Sequence, residues 1–400
     1  MMSKLKQISA MVKVNLLSLP RRFPLAISMA LSVTLVVCTL TGFLSMAAGF
    51  ENALNVTGSP SVAVILGGGT NQENGSDIPA DVIRTIEAMS NHLEVQRDAA
   101  GNLVMSREIV VPVDMRQDGA NSAKVLALRG MDPAGLSLRD GIALTAGRLP
   151  ASGSREIVVG DRIASEFTTL AIGSKVRLGA VDWTVVGHFS AHGSAFESEL
   201  WADLDAVRST FDKQGQVQSL RLRLINGDGI TKLKTALDGI TATPLVILSE
   251  ADLYAGQSSR TANLIRLFGW PLALLMALGA TAGAFTTMMS SVSDRTVEIA
   301  TVRALGFSRL SAFVATWVEA IVLAAAGVTI GLAASWLLFN GWRASTIGAN
   351  NVNMAFQLAV NAHVMLTAGL LGLAIGMIGG LIPAFSATRL PLVKALRARA

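Results

Sequence analysis

Few side chains in this sequence of 400 residues are spaced to do chemistry. His188 and His192 stand four apart, a spacing that on a helix aims two imidazoles at one metal ion. Here they follow a strand-like run and lie in a Gly/Ser-rich loop, Gly187-His188-Phe189-Ser190-Ala191-His192-Gly193, with no third ligand, so no metal site is read from them. Gly67-Gly68-Gly69 lacks the lysine that would make it a phosphate-binding loop and reads as a turn. The patterns G-x-x-x-x-G-K-[ST], G-x-S-x-G and H-E-x-x-H are absent, so neither an ATPase site nor a catalytic constellation is predicted. The single cysteine, Cys38, permits no disulfide within the chain and reads as a small buried hydrophobe.

Two features remain. Glu319 is the one charge inside a long apolar run, where an ionisable group is costly and marks a functional candidate. A structural or conformational use is expected of it rather than contact with a substrate or a proton path. The second feature is Ser293–Leu310. Val297, Ala300/Thr301 and Ala304/Leu305 predict one apolar stripe on a short helix, with Arg295, Glu298 and Arg303 polar and Gly306 a natural stop. Such a helix is either a plain connector held by ion pairs or a docking helix that receives force from a cytoplasmic partner.

The elements that would position these residues follow from composition. Hydrophobic residues make up 51% of the chain and charged residues only 15%, against about 25% charged in a soluble domain. That excludes a disordered chain and points to an integral membrane protein with a soluble portion. Leu25–Phe50, Leu267–Ser293, Leu310–Trp342 and Val364–Thr388 are each long enough to span a bilayer. The first apolar run is longer than the 7–15 residues or so of a signal-peptide core, so it is expected to stay uncleaved.

The formal charge of +5 is unevenly placed. Lys4, Lys6, Lys13, Arg21 and Arg22 precede the first span, and Arg389, Lys394, Arg397 and Arg399 follow the last, with no acid in either segment. Residues 50–264 carry a net −6. Basic flanks face the cytoplasm, so both termini and the 293–309 loop are placed there. The basic excess belongs to membrane orientation, and no nucleic-acid partner is expected.

The expected plan is a cytoplasmic amphipathic helix (1–24), a first span (25–50), an extracytoplasmic α+β domain (51–264), a second span (265–293), a cytoplasmic loop (294–309), a third span (310–342), a short outer loop (343–363), a fourth span (364–388) and a cytoplasmic tail (389–400). Leu5, Ile8, Val12, Leu16 and Leu19 give the first helix its stripe, which lies on the cytoplasmic leaflet or packs on the protein's own spans. Pro20 and Pro24 separate it from the first span. Pro271 and Pro383 are expected to bend their helices. In the later spans Gly279/Gly283, Gly327/Gly331 and Gly372/Gly376/Gly380 recur at four-residue spacing, which lets helix backbones pack closely. In the outer segment, strands are predicted at Ser61–Leu66, Val104–Val113, Lys124–Leu128, Arg155–Val159, Lys175–Leu178, Asp182–Val186 and, half-buried, Leu220–Leu224, with helices at Pro79–Ser90 and 230–239.

The cytoplasmic segment resembles the loop after the second span of FtsX/MacB-type ABC transporter permeases, R-x-x-E-I-x-x-x-R-A-L-G, filled here by Arg295, Glu298, Ile299, Arg303, Ala304, Leu305 and Gly306. Glu319 with Gly327 and Gly331 is similar to the family's pattern in the third span. Ala146-Gly147-Arg148, Arg155–Gly160, Ile172–Val176 and Trp183–Gly187 resemble the MacB periplasmic core, and Pro391–Arg397 the family's ending. The resemblance implies a bacterial inner-membrane permease that is no enzyme itself and pairs with a second copy or a paralogue. A separate ABC ATPase would bind ATP and Mg, with Arg295, Val297, Glu298, Ile299, Arg303, Leu305 and Gly306 as the coupling residues. It further implies an amphiphilic cargo handled at the outer leaflet or outside, a periplasmic adaptor in a host with two membranes, and contact with membrane lipid. The family also includes FtsX-like scaffolds that control a cell-wall hydrolase and LolC/LolE-like subunits that release lipoproteins.

Overall fold

The computed structural model describes residues 4–89, 93–116, 123–226, 229–238, 244–348 and 352–389. The expected tail from 390 on, with Pro391–Arg397, lies outside the described residues, as do the expected helix ends Ser90 and Gly239. The chain divides into two compact units. One comprises Met1–Ala48, Asn263–Trp342 and Leu358–Ala400, and the other Gly49–Ala262 and Arg343–Gln357.

The chain opens with α1 (Lys4–Ser18), a tight turn of helix over Leu19–Arg22 that holds Pro20, and α2 (Phe23–Asn55), which carries Pro24 in its first turn. The sheet unit is built around β1 (Val62–Leu66), α3 (Ala80–Ala88), β2 (Met105–Arg116), β3 (Ala123–Met131), β4 (Ala143–Gly147), β5 (Glu156–Gly160), α4 (Asp161–Ala164), β6 (Lys175–Leu178), β7 (Val181–Ser190), β8 (Glu199–Asp203), α5 (Leu204–Thr210), β9 (Ser219–Arg223), α6 (Gly229–Leu237) and β10 (Val246–Ser249). Its strands run in the order β10-β1-β9-β2-β3-β8-β5-β7-β4, with β6 on β7. β3–β8 and β5–β7 are parallel, and the other pairs are antiparallel.

Most of the buried apolar side chains described in the sheet unit gather in two large cores, with Val64, Leu66 and Leu253 in a smaller cluster. Ile109, Leu128, Ile157, Phe167, Trp183 and Val207 belong to one, and Ala63, Ile86, Leu220, Leu233 and Ile247 to the other. Each predicted strand and helix of this segment is present, within a few residues at its ends. The half-buried strand Leu220–Leu224 is corrected. In β9 both faces are covered, and Arg221 is fully buried.

The long helix α7 (Glu250–Asp294) begins well before the expected second span at 265–293 and continues through Pro271. It is followed by α8 (Thr296–Ala304), α9 (Arg309–Phe339), a hairpin of β11 (Arg343–Ile347) and β12 (Asn353–Gln357), and α10 (Ala362–Thr388), which continues through Pro383. α2, α7, α9 and α10 are long and apolar enough to cross a membrane. The expected short loop 343–363 therefore holds paired strands, and these belong to the sheet unit. Ala355 fixes them there. Its carbonyl accepts from Arg162 at 2.7 Å and from Ser198 at 3.3 Å, and Phe356 meets Phe50 edge-on at 5.5 Å.

In the helical unit Val33, Val37, Ala277, Ala284, Ala320, Ala324, Val328 and Ile375 form a common core. Most of the glycine pattern works as close packing. A Cβ on Gly327 would lie 2.5 Å from the Ala30 carbonyl, one on Gly376 2.2 Å from Ala324 Cβ, and one on Gly380 2.4 Å from Ala320 Cβ. Gly331 and Gly372 are similarly close to Val37 and Val328. Gly279 and Gly283 are the exceptions. A Cβ on Gly279 would meet nothing within 4 Å, and one on Gly283 only Ser32 Oγ at 3.9 Å, because that side of α7 turns away from the unit's other helices.

Candidate functional site

The segment between α7 and α9 is shaped by its ends. α7 stops at Asp294, and Arg295 leaves helical geometry before α8 starts. At the other end Gly306 takes φ +98°, a conformation that suits glycine. The Gly306 amide donates to the Arg303 carbonyl at 3.1 Å and the Phe307 amide to the Val302 carbonyl at 3.4 Å, which closes the helix with paired capping bonds. Ser308 Oγ then accepts from the Ser311 amide at 3.2 Å and starts α9.

The buried side of α8 differs from the predicted stripe. Arg295, Ile299 and Ala300 are buried and Val302 partly so, whereas Thr301, Ala304 and Leu305 are exposed, Leu305 at 75%. Ile299 packs with Met11, Val292, Ala312, Ala315 and Ala387. The reason is electrostatic. Arg295 Nη2 donates to Glu319 at 2.5 Å, and Glu319 is 2% exposed. This pair turns the Arg295/Ile299/Val302 side inward, because a buried carboxylate without a cation costs more than an exposed leucine.

Of the predicted coupling residues, Arg295 and Ile299 therefore lie inside. Glu298, Leu305 and Gly306 form the exposed side, with Val297 and Arg303 at its margin. Arg303 has a partner of its own. Glu319 is no isolated charge. Asn15 Nδ2 donates to it at 3.4 Å, and Arg22 Nη1 lies 4.0 Å away. Arg22 also reaches Glu298 at 3.6 Å and donates to Ser291 Oγ at 3.4 Å. The sequence shows Asn15 as a polar residue of the first helix and Arg22 as part of its basic flank, but nothing in it links these two or Ser291 to Glu319.

α1 uses a face shifted from its predicted stripe. Met11 and Asn15 are buried, while Leu5 is 79% exposed, with Val14 and Leu17 also exposed. Of the two readings for α1, packing on the protein's own helices is observed, through Met11 and through Gln7, which accepts from the Ser308 amide at 3.3 Å.

A second charged cluster lies wholly in the sheet unit. Arg129 donates to Glu73 (2.8 and 3.1 Å), Glu108 (3.0 Å) and Glu199 (2.7 Å). Arg221 donates to Glu108 at 2.8 Å, to Glu73 at 2.7 Å and to Glu250. Arg139 holds Glu108 at 2.7 Å and stacks over Phe196 at 5.1 Å. Burial pushes the Glu108 carboxyl upward, but Arg139, Arg221 and Arg129 outweigh it and bring it down to about 2. Glu73 moves the same way against its burial, under Arg129 and Arg221. The cluster grips the start of α7, because Glu250 is its first residue and also accepts from the Ser59 amide at 3.1 Å. Charges placed among apolar strand residues, Glu108 in β2 and Arg129 in β3, were the signal for it in the sequence.

His188 Nε2 bonds the Leu170 carbonyl at 2.8 Å, and His192 sits at φ +51° in the following turn. Among the described residues no group of three His, Cys, Asp or Glu side chains is placed to hold a metal.

Comparison with known proteins places residues 26–240 in the family described as MacB-like periplasmic core domain and residues 271–392 in that described as FtsX-like permease C-terminal. A curated relative, the macrolide export ATP-binding/permease protein MacB of Photorhabdus laumondii, is 24% identical over 240 residues. The match covers 56% of this chain and 35% of that protein, so the chain spans about a third of the relative's length. Among solved structures, the periplasmic region of MacB from Actinobacillus actinomycetemcomitans aligns with a TM-score of 0.36 and 13% identity, covering 50% of this chain and 92% of that one.

Proposed function

This chain belongs to the MacB/FtsX-type ABC transporter permeases, and from that premise we propose that it is the membrane part through which a cytoplasmic ABC ATPase, binding ATP and Mg, drives export or extraction of an amphiphilic cargo. The observation that carries this reading is α8, which is anchored inward by Arg295 and Ile299 and presents Glu298 and Leu305 outward. An exposed leucine beside a carboxylate, on a helix fixed at both ends, is suited to docking into a groove of a second protein. α7 runs unbroken from Glu250, held in the buried cluster, to Asp294, next to α8, and is the element through which motion at the docking helix would reach the sheet unit. Export is preferred over a signalling scaffold because the MacB-like core spans 26–240. The complex would contain two permease chains, with an adaptor where an outer membrane must be crossed, and lipid against the exposed apolar helix faces.

The test is affinity purification of the tagged chain from native membranes in mild detergent, with partners identified by mass spectrometry. An ATPase is expected, and Glu298→Lys or Leu305→Asp should lower its recovery about tenfold or more. An adaptor or lipoproteins beside the ATPase support export or extraction, whereas a peptidoglycan hydrolase supports the signalling role. Full ATPase recovery and function with Glu298→Lys would remove α8 as the docking element.

A further inference from the structure

Arg22 stands between the two carboxylates that matter most in the helical unit. It ends the turn of helix before α2 and is itself largely buried. Its Nη2 lies 3.6 Å from Glu298, whose side chain is 72% exposed, and its Nη1 lies 4.0 Å from Glu319, which is buried. Both distances are within ionic reach, and neither is a hydrogen bond. Ser291 Oγ accepts from the same Nη1 at 3.4 Å. Arg295 already holds Glu319, with its own Nε buried and unpaired. Two guanidiniums thus share two carboxylates, one on the docking side of α8 and one on the interior side of α9.

We propose that Arg22 is a positioning residue that couples occupancy of the α8 docking face to the buried Arg295–Glu319 pair. This inference rests on the reading of α8 as the ATPase-docking helix. A partner cation that pairs with Glu298 removes the outer attraction on Arg22. The guanidinium is then drawn to Glu319, where lower polarity strengthens the attraction. Glu319 becomes shared between Arg22 and Arg295, and the tie between the start of α8 and the interior of α9 loosens. By linkage the effect runs both ways, so a rearrangement of the spans that takes Glu319 from Arg295 also changes how freely Glu298 meets the partner.

Arg22→Gln, Arg22→Lys and Glu298→Lys are purified as the full chain from native membranes with whatever ATPase accompanies each. Two quantities are read, ATPase recovered per chain and ATP turnover per recovered ATPase. Arg22→Gln, which frees Glu298, should recover the ATPase no less than the unaltered chain does and change turnover about fivefold or more, with Arg22→Lys close to the unaltered chain. Unaltered turnover overturns the proposal, and so does loss of recovery, which would put Arg22 on the docking face itself. Unaltered recovery with Glu298→Lys instead defeats the docking reading and is seen independently.

A second measurement needs neither the ATPase nor an Arg22 variant. In the full chain in lipid nanodiscs, Glu298→Gln should change amide hydrogen exchange across Thr296–Ala304 and the first turns of α9 by about threefold or more. Exchange in α9 that is blind to Glu298 also overturns the proposal.

Discussion

Arg221 shows how much one side chain can organise. Its guanidinium serves Glu73, Glu108 and Glu250, all buried. Arg221→Met leaves these carboxylates short of a cation, and breaking a buried pair in this way costs about 3–5 kcal/mol. A thermal melt of the full chain in detergent should show the sheet unit unfolding markedly earlier, and an unchanged melt would mean that the cluster is dispensable. The pH dependence has a definite sign. Glu108 is held at about 2 in the folded chain, against roughly 4.3 for a free glutamate. Its contribution is complete above the free value and is lost as the pH falls from there towards about 2. Arg139→Gln should therefore move the acid-unfolding midpoint upward, as followed by tryptophan fluorescence. The alternation of Leu and Arg predicts a half-buried strand at Leu220–Leu224, yet Arg221 is as buried as its leucine neighbours. Strand periodicity says which residues share a side. It is silent on whether that side meets water or glutamates brought by a loop, a neighbouring strand and a helix start, as Glu73, Glu108 and Glu250 are here.

At the scale of elements, a short helix within Ser293–Leu310 that stops at Gly306 is present, but its buried face is not the expected one. Hydrophobic period located the helix, while the partner of Arg295 lay 24 residues away on another helix and decided the rotation. The glycines divide in the same way. Spacing identified Gly279 and Gly376 alike, yet only Gly376 has Ala324 against it. Gly376→Val should force α9 and α10 apart at a cost of about 1–3 kcal/mol or more, whereas Gly279→Val should leave the chain's own melting temperature unchanged. Equal losses for both would mean that Gly279 packs in an assembly of chains.

At the scale of the whole molecule, four apolar helices and one large insertion were legible from hydropathy and charge, because both report on solvent rather than on tertiary detail. Orientation can be read directly. Replacing Cys38, the only cysteine, gives a background in which Ser152→Cys is expected to react with an impermeant maleimide from outside intact cells or spheroplasts, and Thr301→Cys only after permeabilisation. The reverse pattern would invert the proposed topology. The hairpin Arg343–Gln357 was not legible, because its fifteen residues between two spans look like any short connection. Yet it completes the sheet unit through Ala355 and Phe356, and its codons lie beyond those of α7, α8 and α9. A ribosome releases most of the sheet unit long before it reaches these strands. The nascent domain must wait, with Phe50 and Ser198 uncovered, until two further membrane segments have been made. Quality control during synthesis therefore has a defined interval in which to act, and a fragment ending at Ala262 would stay in that unfinished condition.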